Sequence, residues 1–144
     1  MKSKAILGML LAGAVGIPVL TGLTNRVVGD PNVYWDVTYA VITAVGSALA
    51  ALWVTVVDGY LVVRSRRDPV RGGVVPLALI GGAMLLVGFG STALAAWEEI
   101  QAGQPLPIIN LFIFLIPLGL ILVVIAFVLA LADGRRASEA RSSV

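Results

Sequence analysis

DVTYAVITAVGSALAALWVTVVDGYLVVRSRRDPVR, running from Asp36 to Arg71, decides the fold. An acidic residue opens it, a long apolar run follows, and four arginines close it. Roughly 20 apolar residues in a helix cross the ~30 Å hydrocarbon core of a bilayer, and Val37 to Val63 exceeds that length. Asp36 suits the cap position just before the first helical residue. The stretch therefore reads as a membrane-spanning helix whose arginine end marks its cytoplasmic side.

Three further apolar runs flank it, so the chain reads as all-α with four spans. Helices are expected over residues 5–23, 37–63, 74–97 and 106–132. Residues 1–134 then form one four-helix transmembrane domain, and residues 135–144 a polar cytoplasmic tail. Ala5 to Leu23 behind Lys2 and Lys4 also resembles a secretory leader. The run is too long for a leader's apolar core, however, and no Ala-x-Ala site follows it. Asp30-Pro31 marks a turn, and Tyr34, Trp35 and Tyr39 form an aromatic belt. The fourth helix is apolar on every face and is expected to tilt or to kink at Pro117, with Asp133-Gly134 ending it.

Composition agrees with the pattern. The chain is 59% hydrophobic and 12% charged, whereas a water-soluble domain is nearer a quarter charged. Basic residues are distributed unevenly: Lys2 and Lys4, then Arg64, Arg66, Arg67 and Arg71, then Arg135, Arg136 and Arg141 share one side. Only Arg26 lies on the other side, against Asp30, Asp36, Glu98 and Glu99. The positive-inside rule places both termini in the cytoplasm, with the chain multi-pass in the plasma membrane. Few lysines beside many Ala, Gly, Val and Arg fit a GC-rich prokaryotic genome.

What the chain lacks narrows its chemistry. It has no cysteine and no histidine, which removes thiolate nucleophiles, disulfides, the usual general base and the usual haem, zinc and copper ligands. Both lysines lie at the N-terminus, away from any buried site. No cofactor, catalytic residue, metal site or nucleic-acid partner is expected.

Asp58 is the only acid inside an apolar run. It reads either as an inner-interface partner of Arg64 or Arg71, or as an ion or proton site. Thr43, Ser47, Thr55 and Asp58 recur at near-helical spacing, a stripe meant for helix contact or for water, with Trp53 roughly opposite and facing lipid. Gly8, Ala12 and Gly16, and again Gly88, Thr92 and Ala96, form small-residue faces for close helix packing. Arg64, Arg66, Arg67, Arg71, Arg135 and Arg136 set topology and are candidate contacts for anionic lipids. Asn110 is expected to cap or hydrogen-bond near the outer end.

The four-span plan is similar to that of claudins and tetraspanins, but their extracellular cysteines are missing. In size the chain is similar to small multidrug transporters, yet its first helix carries no acid. Neither resemblance implies an activity. The residues favour a non-catalytic accessory or structural subunit that packs against other membrane proteins or against itself. The alternative is a homo-oligomeric channel or transporter built around the polar stripe of the second helix.

Overall fold

A computed structural model describes residues 2–29, 36–67, 73–106 and 110–142. Four long helices account for nearly all of them: α1 (Lys2–Val28), α2 (Val37–Arg67), α3 (Val74–Ala102) and α4 (Leu115–Ser142). No strand occurs among the described residues. Each helix contains a segment long and apolar enough to cross a membrane. By composition the fold is that of a multi-pass membrane helical bundle.

Local sequence explains where the helices start and stop. Asp36 caps α2: its Oδ1 accepts from Thr38 N at 2.9 Å, and its carbonyl accepts from Tyr39 N at 3.1 Å. Gly103 ends α3 in the left-handed region (φ 67°), where its N–H donates to the Glu99 and Ile100 carbonyls. A side chain at that φ would be strained. Gly73 precedes α3 at φ 118°, also a glycine conformation.

Two expectations about the fourth helix need correction. It does not begin at residue 106: a 3-10 turn over Leu111–Phe114 comes first, and α4 starts at Leu115. Pro117 therefore sits in the first turn, where a missing N–H costs nothing, and not at a mid-span kink. Nor does α4 stop at Asp133-Gly134, since the helix runs on to Ser142. Ala, Arg and Glu dominate that extension and are strong helix formers. The 135–144 segment is thus helical through residue 142. The Asp30-Pro31 turn, Tyr34, Trp35 and Arg71 lie outside the described residues, while Tyr39 is exposed.

Side-chain contacts set the topology. Asn25 meets Thr43 while Trp53 reaches back to Met9, so α1 and α2 are antiparallel. Gly82 meets Asp58, while Ser47 and Thr92 share a cavity nearer the other end, so α2 and α3 are antiparallel. Gly81 faces Gly119 and Gly88 faces Ile116, giving the same relation for α3 and α4. Gly8 lies against Phe127, which closes α4 onto α1. The bundle runs up, down, up, down, so the helix ends gather at two poles. Its core holds Leu7, Leu10, Ala50, Val54, Leu85 and Val123, all fully buried. The outside is rich in large apolar side chains, among them Leu20, Leu52, Leu94 and Ile121.

Candidate functional site

Polar side chains inside this bundle gather in two places, separated by apolar packing. The first lies at the pole holding the α1–α2 and α3–α4 connections. Asn25, 7% exposed, projects from the last turns of α1, and its Nδ2 donates to Thr43 Oγ1 at 3.1 Å. Its Oδ1 is buried without a hydrogen-bond partner. Around it, Thr21, Thr43, Ser47 and Thr92 join Phe89, Ile113 and Ile116 to line a half-open cavity of about 240 Å³. All four helical layers contribute to this lining.

Neighbouring bonds hold the cavity wall in place. Asn110 accepts from Phe112 N at 3.2 Å through Oδ1, capping the 3-10 turn. Its Nδ2 donates to Ser91 Oγ at 3.2 Å and reaches Thr92 Oγ1 at 3.5 Å. The expected capping role is therefore present, and it also ties the start of α4 to α3. Thr21 donates to Ile17 O, and Ser91 and Thr92 both donate to Gly88 O. Such back-bonds let hydroxyls lie against apolar neighbours cheaply.

The second polar place holds Asp58. Its carboxylate lies against the α3 backbone at Gly82, so close that a Cβ there would overlap all three carboxylate atoms. Oδ1 is buried and has no hydrogen-bond partner. Arg64, one of the two expected partners, is half-buried on the same helix. Arg71, the other, lies outside the described residues.

Between the two places the interior is apolar. Ala50 and Val54 on α2 and Leu85 on α3 are fully buried, and Phe89 is nearly so. About three helical turns separate Ser47 from Asp58 along α2. Among the described residues no continuous polar lining joins them.

The expected stripe on α2 is thus split. Thr43 and Ser47 reach the cavity, and Asp58 faces α3, but Thr55 is exposed and bonds only back to Ala51 O at 2.8 Å. At 100° per residue, Thr55 lies to one side of the buried line through Ala50, Val54, Val57 and Leu61. Trp53 also departs from expectation. Its indole covers Gly13 on α1 and donates to Met9 O at 2.9 Å, so it ties two helices together while staying partly exposed.

The small-residue faces divide in the same way. Gly88 and Ala96 are buried and Thr92 is half-buried, so that face packs within the bundle. A Cβ on Gly8 would come 3.9 Å from Phe127, an ordinary contact, Ala12 is exposed, and a Cβ on Gly16 would meet nothing within 4 Å. Arg66 is exposed. Arg67, Arg135 and Arg136 lie on described helices, but their side chains lie outside the description. Among the described residues, no group of three or more Asp and Glu side chains could hold a metal ion. Asn25 was not anticipated, because next to Arg26 and Asp30 it reads as part of a polar connection. The signal was its four-residue spacing from Thr21, which continues the face of α1 for one more turn. The chain matches no family model, no curated protein and no solved structure.

Proposed function

We propose that this protein is a non-catalytic accessory subunit of the plasma membrane, with both termini cytoplasmic, that docks through α1 onto another transmembrane helix. The observation carrying this reading is the ridge of Gly8, Ala12 and Gly16. Its outward part, Ala12 and Gly16, lies on the side of α1 away from Leu7, Leu10 and Ala14, where Ala12 is exposed and Gly16 has open space, while Gly8 is turned toward Phe127 of α4. Helices in lipid gain little from apolar burial alone, so close backbone approach at small residues is a main source of association. The partner is a membrane protein subunit or a second copy of this chain. In this orientation the exposed Arg66 at the end of α2 lies on the cytoplasmic side, where anionic lipid headgroups are its counter-charge.

Purification in mild detergent tests this. Stoichiometric recovery of other membrane subunits, lost on Gly16→Leu, is the expected result. A pure homo-oligomer that conducts ions or solute in liposomes would overturn it.

One observation favours a second reading, a homo-oligomeric channel or transporter: the unpartnered Oδ1 of Asp58. An acid at membrane depth is expensive and tends to mark an ion or proton path. The apolar packing between Asp58 and Ser47 weighs against a path inside one chain, so this reading needs a pore between copies. Asp58→Asn keeps the shape against Gly82 and is expected to change stability by less than about 1 kcal/mol. Complete loss of transport in a normally assembled Asp58→Asn protein would favour the second reading over the first.

A further inference from the structure

We propose that the cavity beside Asn25 binds a small uncharged molecule with a hydrogen-bond donor on an apolar body. Three observations define that class. The space, about 240 Å³, is half open between the helices and has room for a single ring. Its lining contains no charged side chain, so an ionic guest would lose its hydration without gaining a counter-charge. Phe89, Ile113 and Ile116 offer apolar surface, while Asn25, Thr43 and Ser47 supply a few fixed polar groups. A mostly apolar wall with a few convergent polar atoms is the usual make-up of a small-molecule site.

Asn25 selects for a donor. One end of its amide is already committed to Thr43, while the carbonyl oxygen has no partner and the side chain is more than nine-tenths buried. A buried acceptor left unmet is unfavourable, and native structures nearly always satisfy such groups. A guest O–H or N–H that reaches Oδ1 with a small adjustment of the amide completes the set. The guest's apolar part then lies against Phe89 and Ile116. This site is separate from the outward ridge of α1, so its failure and that of the docking reading are distinguishable.

The probe is 4-fluorophenol, followed by fluorine NMR on the full chain in lipid nanodiscs, with fluorobenzene as the donor-less control. The expected result is saturable 4-fluorophenol binding that unlabelled phenol displaces and benzene does not. Asn25→Leu is expected to weaken that binding at least tenfold. Gly22 also lines the cavity, and a Cβ there meets no atom within 4 Å, so Gly22→Leu narrows the space without disturbing packing. Its expected effect is loss of the saturable signal with an unchanged helical circular dichroism spectrum. This variant decides the matter if Asn25→Leu fails to assemble. The proposal is overturned if 4-fluorophenol only partitions as it does into empty nanodiscs. It is equally overturned if fluorobenzene binds as well, or if Gly22→Leu leaves binding intact.

Discussion

Two helices of this bundle carry ridges of small residues, and the two ridges are used differently. On α3, the positions of Gly81, Gly82 and Gly88 are filled by neighbours. A Cβ on Gly81 would come 2.8 Å from the Gly119 carbonyl oxygen, and one on Gly88 would come 3.3 Å from that of Phe112. On α1, Ala12 is exposed and Gly16 faces open space. The residue types are alike, but one set is consumed inside the chain and the other is left over. Glycine spacing therefore tells that a helix can be approached closely, and the fold tells by what.

The comparison breaks most easily at Gly81. Its neighbour there is backbone, which cannot step aside as a side-chain tip can. Gly81→Leu is expected to cost about 3 kcal/mol, at the upper end of overpacking effects. Reversible unfolding in bicelles reads this directly, and a cost near zero would mean that α3 and α4 do not cross there.

Gly13 is the intermediate case, a glycine on α1 that is used. It seats the Trp53 ring, whose indole N–H donates to Met9 O. Gly13→Leu displaces that ring and is expected to destabilise by about 2 kcal/mol. With Trp35 and Trp97 replaced by Phe, the Trp53 emission should shift in the same variant. An unshifted spectrum would remove Trp53 from the α1–α2 seam.

Asn110 sharpens the α3 side of the comparison. By tying the 3-10 turn to Ser91 and Thr92, it holds Ile116 over Gly88. Asn110→Ala is expected to cost about 1 kcal/mol, as for a lost cap. Faster hydrogen exchange at Phe112 and Ile113 amides, with no change in mid-helix α3, is the corresponding signature.

How much of this was legible beforehand differs by feature. Hydropathy and charge told four helices, and the first residues of α2 and α3, because Asp36 and the glycines before Val74 are strong local signals. The fourth helix was misjudged at both ends. Leu106 to Phe114 is as apolar as a helix, and only the bonding of Asn110 makes part of it a 3-10 turn. The extension past Gly134 is carried by good helix formers against a single weak stop. Inside the bundle, an apolar surface facing lipid and one facing protein have the same composition. Hence neither the seat of Trp53 nor the outward position of Ala12 and Gly16 was readable. Asn25 was hidden for a related reason: its role depends on Thr43, eighteen residues away.

The smallest expected effect on the fold falls at Gly16. Gly16→Leu adds a side chain into open space and is expected to change the bundle's stability by less than about 0.5 kcal/mol. Equal stability with lost assembly separates the two ridges; a cost like that of Gly81→Leu would erase the difference between them.

The most direct test of the account replaces Ala12, in the native membrane, with a photo-crosslinking amino acid, and repeats the replacement at Leu52 and Ile121. All three are exposed, on α1, α2 and α4. Docking through α1 predicts a discrete protein adduct from position 12 that Gly16→Leu abolishes, and only lipid adducts from positions 52 and 121. Protein adducts from 52 or 121 with none from 12 would contradict it.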